Sequence, residues 1–206
     1  MNKSSLLLYE PNMLGQIECE HLALVMLDTS QPMKPYSEWL LPLANNFRAR
    51  LAAIAPKKTF YRVVTFADVC HEMRGIAPIR DTHLDLQELI CEKQSRLFHS
   101  VEEVLESLLP GAEEAREVGR RLRVAVYVVT AGHDWGSWAS KQILSQVSAR
   151  CREFDFRLKA IGCGIDASVL AAALGFQEFG SIGSRADADV VSEEMVRSAV
   201  ELFLGK

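Results

Sequence analysis

The sequence predicts a doubly wound α/β sandwich, with a mostly parallel central sheet of about six strands flanked by helices. Two observations lead to this fold class. Short apolar runs alternate along the chain with longer amphipathic stretches, which is the order that consecutive βαβ units produce. The run VAVYVVT, residues 124–130, is β-branched, aromatic and uncharged, as expected of a strand buried on both faces of a parallel sheet.

Four runs have the length and composition of strands, and two shorter runs are weaker candidates. One arginine, Arg62, interrupts the run FYRVVTF, so this strand is predicted to lie nearer an edge of the sheet. The predicted strands are residues 22–28, 60–66, 124–130 and 156–162, with shorter ones near 70–75 and 176–179.

Apolar residues at helical spacing predict five helices. The second is expected to stop at Pro110-Gly111, which leaves residues 110–123 as a charged connection into the next strand. The last is expected to take Ser192 as its N-cap, followed by two glutamates that suit the positive end of a helix. The apolar helix faces run through residues 40–54, 97–108, 143–151, 169–174 and 195–203.

Composition narrows the class of protein. The length of 206 residues suits one domain, which we place at residues 21–206 behind an N-terminal lead, residues 1–20. A net charge of -4 gives no electrostatic reason to expect nucleic acid or an anionic membrane as a partner. No run approaches the ~20 apolar residues of a membrane span. Five cysteines without a CxxC pair indicate reduced thiols, so we expect a cytoplasmic protein.

The turns after the central strands are where a ligand is expected. In open α/β sheets ligands bind beyond the carboxyl ends of the strands, at the point where the strand order reverses. Three turns qualify: DTSQPM at residues 28–33, TAGHDWGS at 130–137 and GCGIDAS at 162–168. Asp28 ends a predicted buried strand, where a carboxylate is costly unless a charge, a metal or several donors meet it.

The first of these turns carries a resemblance to a known family. LALVMLDTSQPM, residues 22–33, resembles the first strand and Asp-x-Ser-x-Ser loop of von Willebrand factor A (vWA) domains. The resemblance continues in order and covers residues 22–203, nearly the whole chain. The segment TAGHDW and the loops before it look closest to bacterial TerY-like vWA proteins. The further matching segments are YRVVTFAD, SRLFHSVEEVLESL, VAVYVVTAGHD and LKAIGCGID.

The resemblance implies a metal site with parts missing. In vWA domains these loops form a metal-ion-dependent adhesion site, which binds Mg²⁺ or Mn²⁺ and leaves one position open for a partner's acidic side chain. Carried onto this chain, the implied ligands are Asp28, Ser30 and Ser95. Pro32 replaces a serine and Ala131 replaces an aspartate, so the implied site is degenerate. Because hard cations are held mainly by charged oxygens, we expect no cofactor, with Mg²⁺ or Mn²⁺ bound only if this degenerate site still holds an ion.

Three residues of these turns have local interpretations. Asp28 is expected to accept hydrogen bonds from hydroxyls and turn N–H groups of its own loops, which would keep it ionised without a metal. Asp166 resembles the N-cap of the helix that follows it. Cys163 lies near the expected rim, but a reactive thiol needs a base or a cation nearby, and the adjacent sequence supplies neither.

The loop after the fourth strand supplies the rest of the expected binding rim. Asp134 is either a substitute metal ligand or, as we favour, a turn residue or helix N-cap. Trp135 would flank the rim where vWA partners dock, and tryptophan is enriched at interface hot spots. The expected partner-binding rim is Asp28, Ser30, Ser95, Thr130, Asp134 and Trp135.

The resemblance therefore implies a non-catalytic protein–protein interaction module, an adaptor or scaffold in a bacterial stress-response or defence pathway. One alternative is a Mg²⁺- or Mn²⁺-dependent vWA adhesion domain with Asp134 recruited as a ligand. The other is a metal-dependent phosphotransferase that uses Asp28. A nucleophilic aspartate of that kind usually has a second acidic residue two positions on, where this chain has Ser30, so we expect no enzyme and no catalytic residues.

Overall fold

The computed structural model describes residues 19–82, 84 and 89–205, and for Trp138 the backbone alone. These residues form six strands and five α-helices, and a 3-10 helix at Gln31–Tyr36. The predicted lead lies outside the described residues except for Cys19 and Glu20. In chain order the elements are β1 (His21–Asp28), α1 (Ser37–Ile54), β2 (Thr59–Phe66), β3 (Cys70–Pro78), α2 (Leu97–Glu117), β4 (Arg123–Thr130), α3 (Trp138–Glu153), β5 (Phe156–Cys163), α4 (Ala167–Leu174), β6 (Glu178–Ile182) and α5 (Arg185–Leu204).

The six strands form one sheet in the order β3-β2-β1-β4-β5-β6. All neighbouring pairs are parallel except β2 and β3, which pair antiparallel at one edge. The predicted fold class, a doubly wound and mostly parallel sheet flanked by helices, is confirmed. β1 lies between β2 and β4, and all eight of its residues are buried.

The side chains of the central strands alternate between two apolar layers. One layer packs under α2, α3 and α4, and the other under α1 and α5. Because both faces are covered, a central strand needs apolar residues at every position, which explains its continuous apolar run. Each fully buried Val or Leu side chain contributes about 1.5–3 kcal/mol relative to exposure. From β1, the first layer takes Leu22, Leu24 and Met26, and the second takes Ala23, Val25 and Leu27.

The predicted end of the second helix at Pro110 is wrong. α2 continues through Pro110 to Glu117, so the charged connection predicted at 110–123 is largely helical. A proline inside a helix costs about 3 kcal/mol through a lost hydrogen bond and a steric clash. The apolar face of α2 continues beyond the proline, because Ala112 and Ala115 are buried in the same layer as Leu108. Tertiary packing on that face outweighs the local effect of the proline.

The predicted start of the last helix is also wrong. α5 begins at Arg185 and is capped by Ser184, whose hydroxyl oxygen accepts from the Asp187 N–H while the Asp187 carboxylate accepts from the Ser184 N–H. This reciprocal pair is a capping box. Ser192 lies inside the helix and is buried. The cap was visible in the sequence as Ser-Arg-Ala-Asp, residues 184–187, ahead of the apolar periodicity.

Arg62 lies in β2, the strand next to an edge of the sheet, as the sequence predicted. β2 is covered on its outer side by β3, and the Arg62 side chain is fully buried. Its guanidinium donates to both carboxylate oxygens of Glu72 on β3, from Nε at 2.9 Å and from Nη2 at 2.8 Å. This two-point ion pair ties the antiparallel edge strand to the sheet.

Candidate functional site

The candidate site lies where the strand order reverses. β1 and β4 are neighbours at the centre of the sheet, and their carboxyl ends are Asp28 and Thr130. The loop after β1 joins the segment before α2, because the Gln31 N–H donates to the Lys93 carbonyl at 2.7 Å. The loop after β4 joins the same segment, since the Trp135 N–H donates to the Ser95 carbonyl at 2.7 Å. Three loops distant in sequence therefore converge over the end of β1.

The Asp28 carboxylate is fully buried between these loops. Its Oδ1 accepts from the Ser30 N–H at 2.8 Å, and its Oδ2 accepts from the Thr130 hydroxyl at 2.5 Å. The Thr130 oxygen in turn accepts from the Gly132 N–H at 3.0 Å. The hydrogen-bonded environment expected for Asp28 is therefore present, and it ties the loops after β1 and β4 together.

The expectation that these hydrogen bonds keep Asp28 ionised is not supported. Burial raises the pKa of the Asp28 carboxyl, because the charged form loses its hydration. The hydrogen bonds from Thr130 and Ser30 and the proximity of His133 oppose this effect and lower the pKa only partly. The carboxylate is thus held in place by its donors, while its charge is disfavoured by burial.

Two serine side chains of the converging loops are buried, Ser30 and Ser95. The Ser30 side chain contributes a hydrogen bond that lowers the pKa of Asp28. The Ser95 hydroxyl has no hydrogen-bond partner among the described residues, and a buried hydroxyl without a partner typically costs about 1–3 kcal/mol.

Pro32 and Ala131 stand at two positions where the family resemblance implies metal ligands. Each has a structural role at its position. Pro32 lies in the first turn of the 3-10 helix that begins after Ser30, where a missing N–H is tolerated. Ala131 is buried and its methyl group packs in the apolar layer under α1 and α5. One position therefore starts a helix and the other extends the core.

Asp134 is engaged as a turn residue. Its Oδ2 accepts from the Ser137 N–H at 3.1 Å, and its Oδ1 accepts from the Ser137 hydroxyl. Oδ1 also accepts from the Phe98 N–H at 3.3 Å, at the start of α2. Asp134 thus joins the loop after β4 to the exposed N–H groups of a helix terminus, an arrangement that the helix dipole favours.

A cavity of about 210 Å³ opens over these loops. Trp135 forms part of its wall and is 67% exposed, more than a tryptophan that packs under a loop. A second, shallower depression continues from the cavity across Gln31 and Pro32 to Lys34 and Pro35. The cavity is lined by Gln31, Pro32, Lys93, Gln94, Ser95, His133, Asp134 and Trp135.

Sequence reasoning missed part of this lining. Lys93 and Gln94 precede Ser95 in a segment without strand or helix pattern, and backbone contacts with Ser30, Gln31 and Trp135 bring that segment to the site. The Lys93 ammonium is directed to Asp68, at 2.9 Å from its carboxylate. His133 precedes Asp134 in the turn TAGHDWGS, which the sequence analysis names as a candidate ligand-binding turn. Its position in that turn could have identified it as a site residue.

Two buried thiols, Cys91 and Cys163, lie close enough to Asp28 for its charge to act on them. Burial raises the pKa of Cys163 to about 12, and the Asp28 charge adds to the effect. Burial and the same charge raise the pKa of Cys91 to about 11. Both thiols therefore remain protonated at neutral pH, in agreement with the expectation that Cys163 lacks an activating group. Asp166, the other residue of that turn with a predicted role, caps α4 by accepting from the Ser168 N–H at 2.9 Å.

Gly164 is constrained by the residue that covers it, Tyr36. Its φ is +68°, and a Cβ at this position would collide with the Tyr36 hydroxyl. We expect Gly164→Ala to lower the free energy of unfolding by about 1–2 kcal/mol from the backbone conformation alone, with a further loss from displacing Tyr36. Gly119→Ala is a matched control, because Gly119 has φ +71° and open space around it. In chemical denaturation the Gly164 variant should lose more, and a loss equal to that of the control would contradict the role of Tyr36.

The described residues contain no group of three or more His, Cys, Asp or Glu side chains placed to hold a metal ion. Among the same residues, no helix is both long enough and apolar enough to cross a lipid bilayer.

Comparison with solved structures identifies similar folds. A zinc-occupied form of proximal thread matrix protein 1 from the mussel byssus, described as having a MIDAS motif, matches 88% of this chain with a TM-score of 0.59 and 18% identity. The ArnB paralogue VWA2 from Sulfolobus acidocaldarius matches 86% with a TM-score of 0.56 and 16% identity. A von Willebrand factor type A protein from Catenulispora acidiphila matches 90% with a TM-score of 0.59 and 14% identity.

These matches establish the fold and no more. No protein-family model matches the sequence, and no curated protein matches it. This chain spans less than half of each of the three structures, 46%, 44% and 43% of their lengths. The strand order, the layers of helices and the similarity to these structures together show that the chain has the fold of a von Willebrand factor type A domain.

Proposed function

We propose that this chain is a non-catalytic protein-interaction module of the vWA type, an adaptor or scaffold that binds a partner protein at the rim around Trp135. The observation that carries the proposal is an exposed tryptophan beside a cavity at the switch point of the sheet. Ligands of open α/β folds bind at that position. Tryptophan contributes strongly to interfaces because it buries a large apolar surface.

The proposal includes the setting that the sequence resemblance implies. The similarity of TAGHDW and its preceding loops to TerY-like proteins supports a bacterial, cytoplasmic protein in a stress-response or defence pathway. Partners in such a pathway would include kinases or phosphatases. This assignment depends on sequence resemblance alone and is separate from the argument about the rim.

We infer that the site does not suit a tightly held divalent ion. Its oxygen donors are one carboxylate and two neutral hydroxyls, whereas hard divalent cations are held mainly by several charged oxygens. Asp134, the alternative acidic ligand, is already bound to the N–H groups of Ser137 and Phe98. Moving it to a metal would leave the start of α2 without that acceptor.

Among the described residues, the candidate nucleophiles at the site are not activated, which supports a non-catalytic role. Asp28 is fully buried, and each of its oxygens accepts a hydrogen bond, so it is poorly placed to attack a phosphoryl group. The pKa values of Cys91 and Cys163 are raised by burial, which keeps both thiols out of the reactive thiolate form.

Affinity capture from the cell of origin tests the proposed function. Proteins bound to the tagged chain are identified by mass spectrometry, with and without EDTA. We expect Trp135→Ala to reduce capture of a specific partner at least tenfold, because an interface hot spot contributes about 2 kcal/mol or more. EDTA should leave the capture of that partner unchanged.

The matched control is Val118→Ala, which truncates another exposed apolar residue near the opposite end of the sheet, ahead of β4. This variant should capture the partner as the natural chain does. Equal capture by the natural chain and the Trp135 variant would contradict binding at the rim. Loss of capture in EDTA would show that a metal mediates binding.

A further inference from the structure

A groove of about 400 Å³ lies between α2 and α3, and it shares no lining residue with the cavity beside Trp135. Each helix contributes four residues to the groove, at positions i, i+3, i+4 and i+7, which lie on one side of a helix. The groove therefore follows about two turns of each helix, a length of about 10 Å. The lining residues are Glu106, Leu109, Pro110 and Glu113 of α2 and Ile143, Gln146, Val147 and Arg150 of α3.

The floor of this groove is apolar. Leu109 and Val147 are buried in the layer that α2 and α3 cover, and Ile143 beside them is 45% exposed. Apolar surface that is exposed and continuous with a core favours contact with a further apolar side chain. A partner side chain that packs on Ile143 in the groove would remove this surface from water.

The walls of the groove favour a helix as its occupant. Side chains three and four positions apart form ridges on α2 and α3, and a third helix can pack its own ridge between them. An amphipathic helix presents apolar residues with the same i, i+3, i+4, i+7 period. An extended segment alternates its side chains with a period of two and would need an unpaired strand edge, which two helices do not provide.

The charge on the α2 side of the groove is negative. α2 carries six glutamates and one arginine, Arg116. Two of these glutamates line the groove, and one of them, Glu113, is paired with Arg150 across it. The other, Glu106, is exposed and forms no ion pair with another residue in the described part of the chain. A positively charged side chain of the occupant would therefore find an available partner in Glu106.

Pro110 adds a hydrogen-bond acceptor on the same side. It has no N–H, so the carbonyl of Glu106, four residues earlier, lacks the donor that position 110 supplies in an ordinary helix. The ring of a proline inside a helix lies against that carbonyl, and Pro110 lines the groove. Glu106 thus presents a carboxylate and a carbonyl, which both accept hydrogen bonds. A lysine or arginine of the occupant suits this position, and an acidic side chain would be repelled.

We propose that the groove between α2 and α3 docks an amphipathic helix of a partner protein, whose apolar stripe packs on Ile143 and whose lysine or arginine side chain pairs with Glu106. This inference goes beyond the proposed function, because the groove is a second surface, separate from the rim around Trp135. Two separate surfaces would allow an adaptor to hold two proteins at once. Docking in the groove does not depend on binding at the rim.

Nuclear magnetic resonance titration of the full chain with a synthetic helix tests this inference. The probe is an alanine-rich peptide of about 18 residues, long enough to form a helix in water, with leucines at i, i+3, i+4 and i+7 and arginines beside that stripe. At low ionic strength we expect saturable shifts of the Ile143 and Val147 methyl signals and no shift of the Trp135 indole N–H signal. Two control peptides should bind more weakly: one has its leucines spread around the helix, and the other has glutamates in place of the arginines.

Two variants locate the contacts of the probe. Ile143→Ala should weaken binding about tenfold, because it removes most of the exposed apolar surface of the groove. Glu106→Gln should weaken binding about threefold, because it removes one partner of an ion pair that remains close to solvent. Both side chains are partly or fully exposed, so the fold should be retained. The matched controls are Val169→Ala on α4 and Glu38→Gln on α1, which make the same changes at exposed positions outside the groove and should bind the probe normally.

The inference is overturned by any of four results. The first three are no saturable shift, equal binding of either control peptide, and undiminished binding in the Ile143 or Glu106 variant. The fourth is a shift of the same methyl signals when the free chain is diluted, which would show a second copy of this chain in the groove. Failure here leaves the proposed function intact, because capture of a partner through Trp135 is measured at a different surface.

Discussion

Glu72→Ala is expected to lower the free energy of unfolding by about 1.5–3 kcal/mol, because it removes a charged hydrogen-bond partner of the fully buried Arg62 side chain. The Arg62 side chain is fully buried, and its Nε and Nη2 groups donate to the Glu72 carboxylate. Without that carboxylate the guanidinium stays in the sheet and loses its two-point ion pair. Equilibrium denaturation with urea, monitored by circular dichroism, measures the loss.

Two controls separate this effect from the loss of any charged residue. Asp68→Ala removes a partner of Lys93, but both side chains of that pair are about half exposed, so we expect a loss below about 1 kcal/mol. Replacing both members of the pair, Arg62→Met with Glu72→Leu, should restore most of the stability, because the buried guanidinium is gone. A Glu72 variant as stable as the Asp68 variant would mean that solvent reaches Arg62 and compensates its charge.

The fold could be predicted from the sequence because its signals are local and repeated. The continuous apolar run of residues 124–130 requires burial on both faces, and a parallel sheet covered by helices provides it. The boundaries were less predictable where two local signals competed. Pro110 stops an isolated helix, yet the buried face of α2 carries the helix past it. Ser192 and Ser184 both precede acidic residues, and only Ser184 makes the reciprocal bonds of a capping box.

The candidate site could be located from sequence but not described in detail. The strand ends placed Asp28 and Thr130 together, because neighbouring parallel strands finish at the same edge. The contact of Asp134 with Phe98 joins residues 36 positions apart, and no local pattern encodes it. The protonation of Asp28 depends on how burial and hydrogen bonds balance, which requires coordinates. Coordinates were also needed to place Lys93 at the site, because backbone pairing with Ser30 brings it there.

Asp28→Ala is expected to destabilise the chain by about 2–4 kcal/mol, because it leaves two buried donors without an acceptor. The Ser30 N–H and the Thr130 hydroxyl both donate to Asp28, and these bonds hold the loops after β1 and β4 together. Removing a buried carboxylate whose charge is disfavoured offsets part of the loss. Denaturation measurements give the size of the effect, and amide hydrogen exchange at Ser30 and Gly132 shows whether it is confined to these loops.

Asp28→Asn distinguishes the hydrogen bonds of this residue from its charge. The amide oxygen can still accept from the Ser30 N–H, and the amide N–H can donate to Thr130, so we expect a loss of only about 1 kcal/mol. The negative charge is gone, however. A loss as large as that of the alanine variant would show that the charge of Asp28, and not its hydrogen bonds, holds the loops together. If alanine is tolerated as well as asparagine, the carboxylate is not what organises the loops, and their convergence must come from the backbone pairing with the segment before α2.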